Sequence, residues 1–288
     1  MGGNGFQIFG ADGICADDCL QIVPAESGVM NGMECKGIVF HGGYGYSEEG
    51  HALYILQPDT SLSPIERCGF IGASGATGTR TVALNITSAS ISSWHATTNT
   101  VKQCFMRDVC LDDSDRSGTT GTASAFDILG GVEDCHIQGR VIGLERELAN
   151  IDDYAGGTLV GPQRCSITAT ADAPARVAGR LLARHGAGNG NTLAVTGAAN
   201  ATHGVQLIGG DRVTVKDSRI RGVASGGNGV RVNDGVTNVD IIGNDIQGSG
   251  GSSIVFASAA ASTHRVINNR LGGLATANLG TAVATGNI

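Results

Sequence analysis

Residues 133–139 read EDCHIQG. A cysteine beside a histidine admits four readings for Cys135: nucleophile, metal ligand, half of a disulfide, or packed structural residue. The choice governs how all eight cysteines are read, and with them the compartment and the fold. Relatives of the stretch recur along the chain as ERCGFIG, KQCFMRD, QRCSITA, KDSRIRG, IGNDIQG and INNRLGG. In each, a small polar residue is followed two positions later by a large apolar one. The small positions are Cys68, Cys104, Cys135, Cys165, Ser218, Asn244 and Asn269, and NTLAV adds Asn191. Their spacings are 36, 31, 30, 26, 27, 26 and 25 residues.

A second element follows each copy and alternates apolar with polar residues, the pattern of a half-buried strand. Its copies are HALYIL, TVALNI, SAFDIL, HGVQLIG, NGVRVN, SSIVFA and TAVAT. The N-terminal stretch NGFQIFGADGICADDC (4–19) aligns with HGVQLIGGDRVTVKDS (203–218), which puts Cys19 where Ser218 falls. Cys35 follows Cys19 by only 16 residues, too few for a full turn, and stays unassigned. Strands at this spacing, with glycine-rich turns and no helical periodicity between them, predict an all-β fold. The architecture that fits is a single-stranded, right-handed parallel β-helix of about nine or ten coils with loop insertions in its N-terminal half. Right-handedness follows the general rule for parallel crossovers. One domain spans 1–288, with irregular coils and long loops over 1–160 and regular coils over 161–288. A propeller would need blades of about 40 residues, and barrels or sandwiches would need hairpin turns.

In this frame Cys135 shares its position with Cys, Ser and Asn. All are small residues suited to a tight bend, where each stacks on its equivalent one coil away. The structural ladder is thus Cys19, Cys68, Cys104, Cys135, Cys165, Asn191, Ser218, Asn244 and Asn269. No CxxC or Cys/His ligand spacing supports a metal or a nucleophile. The start MGGNGFQIFG lacks a basic region and a long apolar run, so cytoplasmic synthesis is expected and disulfides are not. The formal charge is −7 without a Lys/Arg cluster, which leaves no basic stripe for nucleic acid. No apolar run reaches the ~18 residues of a membrane span.

The stretch Val213–Gly273, with VKDSRIRG, IGNDIQG and VINNRLGG, resembles the right-handed β-helix repeats of the pectate-lyase-like superfamily. Weaker copies extend the resemblance over nearly the whole chain. Within that superfamily the chain looks most like spike or fibre proteins of tailed phages and of phage-derived particles such as gene transfer agents. What this implies is a homotrimer that binds, or degrades, bacterial surface or capsular polysaccharide. It would be made in the cytoplasm and assembled on a virion or phage-like particle beside other particle proteins. The enzyme motifs of the superfamily are missing. Polygalacturonase-like hydrolases carry Gly-His-Gly, and the nearest match here is Arg184-His185-Gly186. The Asn-Thr-Asp and Arg-Ile-Lys motifs of those hydrolases, the Trp-Ile-Asp-His of pectate lyases and the Asp-Pro-His of alginate epimerases are absent.

Function is therefore sought in the insertions 42–51, 92–100, 111–122 and 144–157. Their aromatic and polar residues Tyr44, Tyr46, Glu48, Trp94, His95, Asp112, Asp113, Asp115 and Tyr154 are the candidate sugar contacts, because sugars stack on aromatics and bond through their hydroxyls. The competing reading is assembly contacts. Carboxylate pairs for glycoside chemistry would come from these acids and from Glu49, Glu145, Glu147, Asp152 and Asp153, though no catalytic residue is assigned. Asp113-Ser-Asp115-Arg-Ser117-Gly118 has half the pattern of a calcium loop, but position twelve is Ser124 instead of Glu. Calcium is kept as an alternative and no other cofactor or metal is expected. LERELANIDDY (144–154) has helical composition and is expected to form a turn of helix on the solenoid.

Overall fold

The computed structural model describes residues 3–15, 19–23, 35–48, 50–57, 64–77, 84–88, 101–114, 124–144, 147–153, 161–173, 179–201, 203–221, 226–258, 263–274 and 276–288. Every strand-to-strand pairing within its sheets is parallel, and the fold is a single-stranded right-handed parallel β-helix. The described strands form sheets of five, 17 and nine members. One coil shows the path. Val101–Lys102 lies in the five-stranded sheet, Phe105–Asp112 in the 17-stranded sheet and Ser124–Gly130 in the nine-stranded sheet. Val132–Glu133 then pairs with Val101–Lys102 and opens the next coil.

The bend between the first two of these strands sets the register. In coil after coil one residue there adopts a left-handed backbone: Gly5, Gly37, Arg67, Gln103, Asp134, Arg164, Gly190, Arg212 and Asn238, with φ between 51° and 73°. That conformation costs a residue with a β-carbon about 1–2 kcal/mol. It turns the chain sharply, so the next side chain points inward. This next position forms one column, Phe6, Ile38, Cys68, Cys104, Cys135, Cys165, Asn191, Val213 and Val239, which register extends to His264 and Ala282; Phe6, at its end, is 51% exposed. Its four cysteines are buried free thiols. Each thiol donates to the carbonyl two residues back in its own coil, at 3.4 Å for Cys68, Cys104 and Cys135 and 3.2 Å for Cys165.

The expected single ladder is in fact two. Ser218, Asn244 and Asn269 lie in a second column, at a second bend further along the coil. There Asp217, Gly243 and Asn268 hold the left-handed backbone. Asn287 extends it: its Oδ1 accepts from Asn269 N at 3.0 Å, as Asn269 Oδ1 does from Asn244 N at 2.9 Å and Asn244 Oδ1 from Ser218 N at 3.0 Å. Asn191 makes the same contact in the first column, accepting from Cys165 N at 2.9 Å. The sequence signature merges the two columns because both bends have the same local chemistry: a left-handed residue, a small inward polar residue, then a strand.

Four further expectations change. Cys19 is not on either ladder; it precedes Leu20–Ile22 of the nine-stranded sheet, and its N–H donates to His51 O at 2.8 Å. The N-terminal alignment that placed it there fails because Gln7 pairs with Val39 in the 17-stranded sheet, whereas Gln206 lies in the nine-stranded one. Val283–Thr285, within TAVAT, pairs with Arg265–Ile267 and belongs to the first element, not the second. Within LERELANIDDY, Glu147–Asp152 is a strand; its neighbours on both sides offer backbone partners that override helical propensity. Cys35 also finds a place. It sits in register with Ile65, one column earlier than the cysteine ladder, and its carbonyl accepts from Cys68 Sγ at 3.3 Å.

Apolar residues stack inward along the whole solenoid. In the nine-stranded sheet one inward row runs Ile55, Ile128, Ile151, His185, Leu207, Val232 and Phe256. His185 is the polar member. Its Nδ1 lies 2.8 Å from Gly209 O and its Nε2 3.1 Å from Asn191 Nδ2, at the point where the cysteine column gives way to asparagine. Burial depresses its pKa from 6.5 to about 4.

Two measurements check this account. Asn244→Ala strands the Ser218 N–H and the Val215 carbonyl, so it is expected to cost about 3 kcal/mol in urea unfolding. Cys135→Ala, which loses one weak donor, is expected to cost about 1 kcal/mol. Because His185 stays neutral in the fold, its contribution is intact above pH 6.5 and declines as pH falls from there to about 4. Between pH 7.5 and 5, wild type should therefore lose about 2 kcal/mol more than His185→Leu. Equal losses in the two proteins would contradict the buried neutral imidazole.

Candidate functional site

On the outward side of the nine-stranded sheet, strands Ser124–Gly130, Glu147–Asp152 and Ala183–His185 lie side by side. Register puts Asp127, Asn150 and Arg184 in one row across them. Alternation along each strand, which sends Ile128, Ile151 and His185 into the core, turns these three outward. An outward row would ordinarily be wet. Here Asp127 is 2% and Asn150 6% exposed, Glu147 is 8% exposed and Ser124 1%. Among the described residues Asn150 Oδ1 has no hydrogen-bond partner. An unpaired buried amide oxygen costs about 1–3 kcal/mol, so Asn150 Oδ1 stands as an unused acceptor in this row.

The charges are coupled. Arg184 Nε stands 3.9 Å from Glu147 Oε2, an ion pair too long for a hydrogen bond. Burial pushes the Glu147 carboxyl above its usual range; Arg184 and Arg180 pull it down and Asp127 pushes it up. Asp152 is raised further, from 3.8 to about 6, mainly by burial, with Arg184 opposing and the neighbouring Asp153 carboxyl assisting. Its carboxylate lies against Gly186, where a β-carbon would overlap it. The site thus holds two carboxyl groups with raised pKa, Glu147 and Asp152, a third carboxyl in Asp127, one guanidinium and an unpaired amide oxygen. Among the described residues no three His, Cys, Asp or Glu side chains converge as metal ligands.

Sequence reasoning reached part of this. Glu147 and Asp152 were among the candidate carboxylates, and the structure brings both near Arg184. It missed Asp127, Asn150 and Arg184, whose only signal was a polar residue at the same place in three successive strands, AFDI, ANID and ARH. The Arg184-His185-Gly186 match separates by alternation: Arg184 faces the site, His185 the core, and Gly186 supports Asp152. Of the proposed sugar contacts, Tyr44, Tyr46 and Asp112 lie on strands of the 17-stranded sheet, away from this cluster. Tyr44 is exposed, Tyr46 half-buried, and Asp112 accepts from Ser114 N at 3.0 Å and Ser114 Oγ at 2.6 Å. Glu48 is exposed and its N–H donates to Cys15 O, while Asp113 is buried. Trp94, His95, Asp115 and Tyr154, with Glu49 and Glu145, lie outside the described residues.

No family profile and no curated protein sequence matches the chain. Solved structures do. The A-module of the Azotobacter vinelandii mannuronan C-5 epimerase AlgE4 superposes with a TM-score of 0.53 at 12% identity, over 98% of this chain and 91% of that one. The AlgE6 A-module of the same organism gives a TM-score of 0.47 at 14% identity, over 99% and 90%. The likeness is one of fold.

The electrostatics give a direct check. In carbon-detected NMR titration, Asp152 is expected to titrate near pH 6. In Arg184→Ala, which removes the opposing positive charge, its midpoint should move higher. A midpoint near 4 in wild type, or a downward move in the variant, would contradict the arrangement.

Proposed function

We propose that this chain binds polysaccharide through the outward face of the nine-stranded sheet. The observation that carries this reading is the buried outward row of Asp127, Asn150 and Arg184, with Asn150 Oδ1 unpaired among the described residues. Carboxylate, amide and guanidinium side by side are the groups that bond sugar hydroxyls and acidic substituents. Two further points support it. The β-helix fold is shared with a module named for acting on mannuronan. The sequence also resembles phage-type spikes, and in that setting the ligand is bacterial surface or capsular polysaccharide and the bearer a homotrimeric particle component.

A second reading, that the chain also alters the polymer, is favoured by the raised carboxyls. A group that holds its proton to about pH 6, as Asp152 does, suits general acid–base work near neutrality. Arg184 between two such carboxyls could steady developing charge. Hydrolysis or elimination is the form this would take.

A single experiment addresses both. A panel of purified capsular polysaccharides and alginate is incubated with the protein, then retention on immobilised protein and polymer length are read together. The binding reading expects retention without shortening, weakened about tenfold by Asn150→Ala and by Arg184→Ala, a loss of about 1.4 kcal/mol each. Shortening that Asp152→Asn abolishes would establish the enzyme instead. Retention unchanged in both variants would remove this face from the function.

A further inference from the structure

The 17-stranded sheet carries a second feature on a different face. Between the pairs Met106–Ile137 and Val109–Gly139 the register shifts by one residue. Arg107 and Asp108 therefore stand opposite Gln138 alone, a β-bulge. Such bulges re-aim side chains and gather near sites. Asp108 takes the left-handed backbone, with φ 53°. It is the last such bend for several coils: His136–Ile142, Ser166–Ala171 and Thr192–Ala198 each run as one unbroken strand. A bent strand therefore abuts straight ones, and the step between them is a groove of about 350 Å³. Beneath it lies Gly139, where a β-carbon would point into the core, 2.7 Å from Val109 Cγ2 and 2.7 Å from Val109 O.

The walls are polar. Asp108, Gln138, Arg140, Thr168 and Thr170 line the groove, and all five are exposed. Register places Gln138 beside Thr168 and Arg140 beside Thr170. Among the described residues none of these five side chains is hydrogen-bonded or ion-paired. Arg107, in the bulge itself, lies over the Phe105 ring, 4.6 Å from its centroid, and several other arginines of the chain are ion-paired. Arg164 is held by Asp134 at 2.8 Å and also by Glu133, Arg221 by Asp245 at 2.5 Å, and Arg265 by Asp240. Arg140 has thus been left with its fork of donors open, in a concave place, amid an amide, two hydroxyls and one carboxylate.

We propose that this groove is an accessory binding site for an acidic sugar unit, a hexose ring bearing one carboxylate. The chemistry selects it. One guanidinium takes one carboxylate in a bidentate pair. Asp108 repels a dianion such as phosphate but accepts hydroxyl donors, and Gln138, Thr168 and Thr170 supply the remaining partners of a polyol. The volume is that of the smallest ligand pockets, about 300 Å³. The proposal rests on the reading that the ligand is a polysaccharide, and adds a second contact on another sheet and a preference for acidic polymers.

Calorimetric titration of the full chain tests it, with a linear oligouronate, a phosphorylated oligosaccharide and a neutral oligoglucoside of equal length as probes. The oligouronate should bind at least about tenfold more tightly than the neutral oligomer, a difference of about 1.4 kcal/mol, and more tightly than the phosphorylated one. Arg140→Ala should weaken it about tenfold, and Arg140→Lys several-fold, since the charge stays but the fork is lost. Thr168→Val with Thr170→Val should weaken it several-fold, and Arg265→Ala, at an ion-paired arginine outside the groove, should leave it unchanged. Melting temperatures within about 2 °C of wild type confirm that these exposed substitutions leave the fold intact. Equal affinity for the neutral or the phosphorylated oligomer, or no effect of Arg140→Ala, overturns the proposal. Loss of oligouronate binding in Arg184→Ala alone overturns it as well, while leaving the nine-stranded face as the binding surface. An effect in Arg140→Ala with none in Asn150→Ala or Arg184→Ala does the reverse.

Discussion

The bend of a left-handed residue followed by an inward small side chain is the constraint on which the rest of this solenoid depends. A parallel coil must reverse direction several times per turn, and each sharp reversal leaves backbone N–H and C=O groups facing the interior. Buried unpaired, each would cost about 1–3 kcal/mol. The inward side chain answers that need. Asn244 uses its carbonyl oxygen for Ser218 N–H and its amide for the Val215 carbonyl, so one residue satisfies two groups of the coil before it. The thiols of Cys68, Cys104, Cys135 and Cys165 do a weaker version of the same work, donating to carbonyls of their own coils. Because the asparagine bends hand their hydrogen bonds to the coil before them, register is transmitted along that part of the stack.

The transition near Asn191 shows what happens when the pattern changes. Before it the first bend carries cysteines; after it that bend carries Val213 and Val239, and the polar ladder reappears at the second bend with Ser218. Asn191 bridges the change by bonding Cys165 N, the Pro162 carbonyl and the His185 ring. A histidine among isoleucines and leucines is tolerated here because both ring nitrogens are engaged. Its neutrality is the consequence of burial.

With the interior committed to stacking, function falls to the outward faces and to irregularities in the ladder. The row Asp127–Asn150–Arg184 puts unlike polar groups on adjacent strands with the strand spacing as its ruler, about 4.8 Å. The groove beside Gly139 arises where a bent strand meets a straight one. Neither is a loop feature. Both are consequences of register on a rigid scaffold, which holds polar groups more precisely than an insertion would.

Much of the fold was legible. Spacings near 25–36 residues, alternation in the strands and the exchange of Cys, Ser and Asn at one kind of position sufficed for a parallel β-helix. Cys68, Cys104, Cys135 and Cys165 are buried in one column, whereas Cys19 falls outside it. The site was legible only in fragments. Glu147 and Asp152 stood out as carboxylates, but Asp127, Asn150 and Arg184 looked like the ordinary outward residues of three separate strands. Their meaning depends on which residues share a row, and that depends on loop lengths and on single-residue register shifts. Local sequence carries the 2-residue alternation of a strand and the chemistry of a bend, because both act within a few bonds. It does not carry which of two similar bends a copy belongs to, nor which side chains meet across coils 20 to 35 residues apart. Tertiary stacking decided those, since only the paired backbone fixes the register that brings them together.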